Sequence, residues 1–184
     1  RFGSRVQKVC VHMGFTCPNR DGTRGYGGCV YCNNKALYPH ESSGTLSQQI
    51  LTGIERARRK YNAKKFIVYF QSGTNTYREI EYLRGLFIEA IYYPDVVGIA
   101  IGTRPDCVDD EVLSMLAELS RKAYLWVEYG LQSASDETLR RINRGHTVKE
   151  FVTAVERTHE YGIDVCAHVI IGLPGENREN VLET

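Results

Sequence analysis

Short β-branched and aromatic runs alternate with longer amphipathic stretches through most of this chain. Runs of strand length occupy residues 6–13, 65–70, 96–102, 123–132 and 163–172. Between them, apolar side chains recur every three to four residues, which is the spacing of one helix face. The sequence therefore predicts repeated strand-then-helix units, whose crossover connections make neighbouring strands parallel.

Four helices are predicted between these strands, at 45–61, 77–92, 109–121 and 147–161. Thr45 stands at the N-cap position of the first helix. Such repeats fit either a doubly wound sheet or a barrel that has lost its end. In both architectures, loops and helix N-termini converge at the carboxyl ends of the strands, so binding groups are expected there.

Composition narrows the class of protein. The 184 residues are 42% hydrophobic, which suits one domain, or part of one, over residues 1–184. A formal net charge of +1 argues against whole-molecule attraction to nucleic acid or to anionic membranes. No apolar run approaches the roughly 20 residues of a bilayer-spanning helix, so we expect a soluble chain without a membrane partner.

Both ends of the sequence look cut. The chain begins at Arg1 without an initiator methionine, and a helical pattern has only begun at the final ENRENVLET. The last strand of an open barrel would expose an unpaired edge, which predicts marginal stability or self-association.

The six cysteines fall into two groups. Cys29 and Cys32 are too close for ordinary cross-linking, which favours a reducing, cytoplasmic setting and a metal or redox use of the close group. The three dispersed cysteines stand in apolar runs and are expected to be small core residues, namely Cys10, Cys107 and Cys166.

The close group belongs to the segment CPNRDGTRGYGGCVYC at 17–32, in which Cys17, Cys29 and Cys32 have C-x11-C-x2-C spacing. A structural zinc site would need a fourth ligand, and His12 and His40 both lack the usual zinc-finger offset. Iron–sulfur clusters are also held by thiolates, and three thiolates on a four-iron cluster leave one iron open to another ligand.

These residues resemble the radical S-adenosylmethionine enzymes: a three-cysteine loop after the first strand, Tyr31 directly before Cys32, and successive βα units. The eleven-residue gap PNRDGTRGYGG is similar to the branch around the Elongator catalytic subunit, and to its small bacterial relatives known as predicted Fe–S oxidoreductases. The resemblance implies an α/β fold, a partial (β/α)6 TIM-type barrel with parallel strands that is truncated after strand 5. Residues 1–184 would then be a radical SAM core domain.

The same resemblance implies the cofactors. Cys17, Cys29 and Cys32 would ligate a [4Fe–4S] cluster, whose open iron binds the amino and carboxylate groups of S-adenosylmethionine. One electron, from a donor such as flavodoxin or ferredoxin, would cleave the sulfonium to methionine and a 5′-deoxyadenosyl radical. The substrate remains open between RNA, a tetrapyrrole, a peptide and a small metabolite.

Further site residues are implied by position at the strand ends. The segment FQSGTNT is similar to the Gly-rich stretch that receives the methionine amino group, and the matching residues are Gln71, Ser72, Gly73 and Thr74. That stretch has one glycine here where relatives have two or three, and Gly102 stands where some relatives have a glutamate. TRPD after the third strand adds Arg104 and Asp106 at a strand end.

The last two strands supply the remaining candidates. Gln132 matches a glutamine that reaches the ribose, and Arg144 matches an arginine that meets the carboxylate. Glu128 stands between apolar neighbours, and because an unpaired carboxylate in a core is costly, it is expected in the active cavity. His168 matches the strand-5 motif near adenine, although a histidine on an apolar strand is also compatible with a core position.

Two functions of other classes stay open at this point. One is a zinc-stabilised nucleic-acid-binding module that uses the basic run 55–65 on RNA, although a solvated helix face explains that run more simply. The other is a thiol redox protein that uses Cys29 and Cys32 for disulfide exchange. Neither explains the polar groups at the strand ends.

Overall fold

A computed structural model describes residues 2–33 and 44–184. Its centre is one sheet of parallel strands whose spatial order equals their order along the chain. The strands are β1 (Val6–Val11), β2 (Lys65–Phe70), β3 (Val96–Thr103), β4 (Tyr124–Gln132) and β5 (Asp164–Val169). This order is what right-handed βα crossovers produce when each strand is added beside the previous one.

Helices connect the strands. They are α1 (Leu46–Tyr61), α2 (Ile80–Ile91), α3 (Asp110–Ser120), α4 (Asp136–Arg141), α5 (Val148–Glu160) and α6 (Arg178–Glu183). Thr45 caps α1 as predicted: its hydroxyl accepts from the Gln48 amide at 3.3 Å, and the Gln48 side chain accepts from the Thr45 amide at 2.9 Å. This reciprocal capping box satisfies two amides that the helix itself leaves unpaired.

The outer face of the sheet forms the hydrophobic core with the helices. Val68, Ile101 and Val127 on the central strands are fully buried. They share one cluster with Ile50 of α1 and Leu116 of α3. Because side chains alternate between the two faces of a strand, this leaves every second residue for the inner face.

The inner face is polar, and its contacts show that the sheet is curved. Two strands separate β1 from β4, so these strands would lie about 14 Å apart in a flat sheet. Nevertheless, Lys8 Nζ on β1 lies 2.6 Å from Glu128 Oε1 on β4. The sheet therefore curls around its inner face, as in a partial barrel, and the predicted fold class is confirmed.

Two elements differ from the sequence predictions. Helix α4 and the 3-10 turn Pro105–Cys107 were not predicted, because segments of six and three residues are too short to display an amphipathic repeat. The first and last predicted strands are also shorter than expected, since they end at Val11 and Val169.

The expectation that the dispersed cysteines are core residues is wrong, because none of the three belongs to the hydrophobic core of the described residues. Cys10 and Cys107 are partly buried, whereas Cys166 is exposed. Cys166 belongs to the inner face of β5, the last strand in the order of the described sheet, so helices on the outer face do not cover it. His40, one of the two histidines considered for zinc, lies outside the described residues.

The described part of the chain has no helix that is both long and apolar enough to cross a bilayer.

Candidate functional site

A cleft of about 220 Å³ opens at the carboxyl ends of the strands. The structure brings all the residues singled out from the sequence to its walls: Cys17, Cys29, Tyr31, Cys32, Gln71, Ser72, Gly73, Thr74, Glu128, Gln132, Arg144 and His168. They come from the carboxyl-terminal parts of β4 and β5, from the loops after β1 and β2, and from the turn after α4. Their roles stay predictions, but the common location on which those roles depend is present.

The cysteine loop after β1 folds without regular secondary structure. Its turns are made by backbone hydrogen bonds, from the Arg20 amide to the Cys17 carbonyl at 2.8 Å and from the Cys32 amide to the Cys29 carbonyl at 2.9 Å. The Gly28 amide closes the loop on the Asn19 carbonyl at 2.8 Å. These short-range bonds direct the thiols of Cys17, Cys29 and Cys32 into the same cleft.

Nitrogen donors surround the thiol of Cys29. The residue is only 8% exposed, and its sulfur lies 3.7 Å from Asn19 Nδ2 and 3.8 Å from Arg144 Nη1. Hydrogen bonds to a coordinating sulfur are among the main means by which a protein tunes a thiolate-held metal centre. Arg20 adds a second guanidinium, which donates to the Cys32 carbonyl at 2.9 Å, and hydrogen bonding to the Cys32 side chain raises the pKa of Arg20.

The distances between the three thiols bear on the kind of metal centre that they can hold. Within residues 2–33 and 44–184, their sulfurs do not form a set that lies within 4.8 Å of one another. Ligands of a single tetrahedral zinc ion are about 3.8 Å apart when the Zn–S distance is about 2.3 Å. A four-iron cluster instead holds each thiolate on a separate corner iron, so its ligands need not lie as close together as those of one zinc ion.

The loop after β2 forms a second wall through a left-handed turn. Ser72 and Gly73 have φ values of 62° and 81°. A Cβ at position 73 would lie 2.5 Å from the Phe15 carbonyl oxygen, so glycine is required there by both conformation and space. The Thr74 amide then donates to the Thr16 carbonyl at 3.2 Å, which attaches this loop to the beginning of the cysteine loop.

The third wall comes from the end of β4. The pairing of β4 with β5 shifts between Gly130 and Gln132, and Gln132 has a φ of 76°. The shift changes the direction of the backbone at the strand end. It leaves the Gly130 carbonyl to accept from Arg144 Nη2 at 2.8 Å and from His146 Nε2 at 3.1 Å.

Arg144 is held tightly at this wall. It is 6% exposed, and its Nε is buried without a hydrogen-bond partner among the described residues. A buried guanidinium nitrogen with an unmade hydrogen bond is costly. Arg144 nevertheless lines the cleft, where a guanidinium suits an acceptor such as a carboxylate.

Arg104 and Asp106 stand together after the third strand, and no role for them was predicted from the sequence. The two side chains are 3% and 1% exposed and form a bidentate pair with N–O distances of 2.8 and 2.7 Å. Burial by itself would lower the pKa of Arg104, but the Asp106 carboxylate outweighs it and raises that pKa. Arg104 Nη1 also donates to the Arg144 carbonyl at 2.8 Å, so the pair supports the Arg144 wall.

Glu128 is the centre of a polar network on the inner face. It is 3% exposed. One carboxylate oxygen accepts from Lys8 Nζ at 2.6 Å and from Trp126 Nε1 at 2.8 Å, and the other pairs with His168 Nε2 at 2.6 Å. Burial alone would raise the pKa of Glu128, but these hydrogen bonds and one from Tyr69 lower it to about 2.

The carboxylate expected to be costly in a core is thus paired on both oxygens. Its partners lie on β1, β2, β4 and β5, so a curved sheet was needed to assemble them. Tyr69 and Arg20 line the cleft as well and were missed from the sequence. Tyr69 could have been found, because it precedes Gln71 by two residues and therefore shares its face of the strand.

Glu128, Cys166 and His168 also place one potential ligand atom each within 4.8 Å of one another. The Glu128 carboxylate already receives the positive charge of Lys8 at 2.6 Å. A cation there would have to compete with that ammonium, so the three residues are better described as part of the ion-pair network.

The chain is similar to a family model and to several known proteins. Residues 14–184 match the model of the radical SAM superfamily. The chain is 40% identical over 186 residues to protein YhcC of Escherichia coli and 43% identical over 187 residues to the uncharacterized protein YtqA of Bacillus subtilis. Each alignment covers 100% of this chain but only 59% and 58% of the relatives, so the chain spans less than two thirds of their length.

Among solved structures, the chain is similar to the archaeal Elp3 of Methanocaldococcus infernus, with a TM-score of 0.64 and 23% identity over 96% of this chain and 40% of that one. It is also similar to HemN of Escherichia coli, a radical SAM enzyme, with a TM-score of 0.58 and 18% identity over 98% of this chain and 40% of that one. At these identities the likeness concerns the fold.

Proposed function

The chain belongs to the radical SAM superfamily, whose members bind a [4Fe–4S] cluster and S-adenosylmethionine, and from this premise we propose that Cys17, Cys29 and Cys32 ligate the cluster. We further propose that residues 1–184 form a radical SAM core domain and that the protein reductively cleaves S-adenosylmethionine. The observation that carries the proposal is the convergence of three thiols and the loops after β2, β3 and β4 on one cleft.

The residues present fit the cofactor pair on two counts. The three thiols line one cleft and Cys29 has nitrogen donors beside it, which suits a negatively charged cluster. Arg144 lines the same cleft with its guanidinium, which suits the carboxylate of the methionine moiety.

The residues of the other walls are assigned roles that suit their chemistry. We assign backbone groups of Ser72, Gly73 and Thr74 to the methionine amino group, because a left-handed turn exposes carbonyls at this wall. Gln132, at the bulge of β4, is assigned to the ribose hydroxyls. Tyr31 contributes an aromatic face beside the thiols.

Gln71, Glu128 and His168 are assigned to the deeper part of the cavity. Glu128 orients His168 through a 2.6 Å hydrogen bond, so that the imidazole keeps one orientation beside the nucleoside. Fixing such a side chain in advance removes the cost of ordering it when the ligand binds.

When bound, the cluster and S-adenosylmethionine supply one-electron cleavage of the sulfonium to methionine and a 5′-deoxyadenosyl radical, which abstracts hydrogen from a substrate. The chain contributes orientation and exclusion of water. We propose flavodoxin or ferredoxin as the electron donor, and a reducing cytoplasm as the compartment, because closely spaced cysteines such as Cys29 and Cys32 favour metal or redox use.

Reconstitution tests the proposal. The protein is purified without oxygen, loaded with iron and sulfide, and reduced in the presence of S-adenosylmethionine, and 5′-deoxyadenosine is measured. We expect formation of 5′-deoxyadenosine and broad brown absorption, both lost in Cys17→Ala, Cys29→Ala and Cys32→Ala. Cys107→Ala is the matched control, because it removes a partly buried thiol that does not line the cleft.

Two other outcomes would separate the alternatives. Stoichiometric, tightly held zinc and no 5′-deoxyadenosine would contradict the proposal and favour the zinc-binding module. RNA is the substrate class that we test first: adding total cellular RNA to the reduced enzyme should raise 5′-deoxyadenosine formation above its rate with S-adenosylmethionine alone. An unchanged rate would exclude RNA and leave the cleavage reaction itself intact.

A further inference from the structure

A short turn after α4 is bonded to the cysteine loop, although the two segments are far apart in the sequence. This Asn143 turn comprises residues 142–146, with the sequence INRGH. The Val30 amide donates to the Ile142 carbonyl at 3.0 Å. The Asn143 side-chain amide donates to the Gly28 carbonyl at 2.9 Å and to the Tyr26 carbonyl at 3.2 Å. These bonds bracket Cys29 on both sides along the chain.

The cysteine loop returns a contact through Asn19. Its side-chain amide donates to the Asn143 carbonyl at 2.5 Å and lies 3.7 Å from the Cys29 sulfur. Asn19 is 1% exposed, and Cβ atoms added at Gly25 and Gly145 would lie 2.5 and 2.9 Å from its Oδ1. Two glycines therefore enclose the amide, and its rotation is restricted.

Asparagine suits position 143 for two separate reasons. Its φ is 53°, in the left-handed region that asparagine tolerates better than most residues. Its side chain also supplies the two N–H donors that the carbonyls of the cysteine loop accept. A glycine would keep the first property and lose the second.

The opposite side of the turn is fixed to the sheet. Arg104, paired with the buried Asp106, donates to the Arg144 carbonyl at 2.8 Å. Arg144 in turn donates to the Gly130 carbonyl and lies 3.8 Å from the Cys29 sulfur. The turn therefore links the rigid sheet to the part of the loop that carries the Cys29 thiol.

We propose that Asn143 and Asn19 are positioning residues that preform the Cys29 side of the cysteine loop before iron arrives. The inference rests on the proposed function, because it treats Cys29 as a cluster ligand. A ligand held in place by outer hydrogen bonds binds its metal more tightly than a mobile one, since less order has to be imposed on binding. Removing these bonds therefore lets the loop open and the metal leave.

The first test uses hydrogen–deuterium exchange of the iron-free protein at the amides of Gly28 and Val30. In Asn143→Gly, which keeps the left-handed backbone, we expect exchange about tenfold to a hundredfold faster, because two hydrogen bonds are lost. Asn62→Gly is the matched control: Asn62 also has a left-handed φ of 50°, but it caps α1. Wild-type protection in Asn143→Gly would overturn the inference.

The second test measures the rate at which reconstituted protein loses iron to a ferrous chelator. Asn143→Gly and Asn19→Ser should both lose iron about tenfold faster than wild type, whereas Asn62→Gly should not. Two variants on opposite partners of the contact protect the result against a folding defect in one of them. Equal iron loss in all proteins would refute the positioning role.

The two measurements separate this inference from the proposed function. Faster exchange in Asn143→Gly, together with a wild-type protein that takes up no iron, would support the conclusion that Asn143 preforms the loop and would contradict the proposed function. A wild-type protein that forms the cluster, together with unchanged exchange and iron loss in both variants, would support the proposed function and contradict the inference.

Discussion

Glu128→Gln is the substitution that tests the inner-face network most directly. Glutamine keeps the size of the side chain and removes its negative charge. The change leaves the Lys8 ammonium without its counter-ion at 2.6 Å and replaces a carboxylate oxygen that pairs with His168. Because Glu128 is 3% exposed, water cannot take over these contacts at the carboxylate itself.

The size of the effect follows from linkage. One pKa unit corresponds to about 1.4 kcal/mol, so a drop from 4.5 to about 2 is equivalent to about 3 kcal/mol of folding free energy. Lys8 and His168 keep side-chain exposures of 42% and 46%, and solvent screening reduces the value. We expect Glu128→Gln to lower the free energy of unfolding by about 2 kcal/mol at pH 7.

The pH dependence has a defined sign. The pKa of Glu128 is lowered on folding, so its contribution is present above the unfolded value of 4.5 and is lost as the pH falls toward about 2. The stability difference between wild type and Glu128→Gln should therefore shrink steadily from pH 5 to pH 3. The other carboxylates cancel in this difference because both proteins contain them.

Urea unfolding at pH 7, 5, 4 and 3 measures this difference. Trp126 is the only tryptophan, and its indole N–H donates to Glu128 at 2.8 Å, so its fluorescence reports on the network itself. Glu55→Gln, at an exposed position of α1, serves as the control for the loss of one carboxylate. A difference that stays constant from pH 7 to pH 3, or a Glu128→Gln protein as stable as wild type, would refute the reasoning.

Three further predictions follow from the walls of the cleft. Arg144→Met should weaken binding of S-adenosylmethionine to the reconstituted protein at least tenfold, because a charge-assisted hydrogen bond is lost. Equilibrium dialysis measures the affinity, and an unchanged affinity would show that Arg144 does not bind the ligand. Asp106→Ala should lower the free energy of unfolding by about 3 to 5 kcal/mol, since it leaves the Arg104 guanidinium, which is 3% exposed, without its partner. Urea unfolding measures this change, and a loss below about 1 kcal/mol would contradict the importance of the buried pair. Gly73→Ala should destabilise the fold by about 1 to 3 kcal/mol, because alanine is strained at a φ of 81° and its Cβ would contact the Phe15 carbonyl. Gly85→Ala is the control, because this helical glycine has nothing within 4 Å of an added Cβ. Equal stability of the two variants would contradict the argument.

Local patterns were sufficient for the order of elements. The β-branched runs predicted each strand, and Thr45 marked the beginning of α1, because strand periodicity and helix capping depend on neighbours within a few residues. Helix α4 was missed for the same reason. Its six residues, Asp136–Arg141, are too few to repeat an apolar face.

The candidate site was only partly accessible from the sequence. Cys17, Cys29 and Cys32 could be identified as a group from their spacing, and the strand-end positions of Gln71, Gln132 and His168 followed from the βα repeat. Arg20 and Tyr69 were not identified, although both line the cleft. An arginine in a polar loop carries no local signal that separates a cleft residue from any other, whereas the position of Tyr69 two residues before Gln71 is such a signal.

The sequence by itself determined the parallel βα order, the three-thiol loop and the edge of the sheet where binding groups gather, because each depends on short-range pattern and on the direction of parallel strands. Only the tertiary structure decided that the buried Glu128 is paired with Lys8 and His168, and that Asn143 holds the loop around Cys29. Those contacts join residues far apart in the chain. They exist because the sheet curves and the strands pair in one register, and neither property is encoded in any short segment.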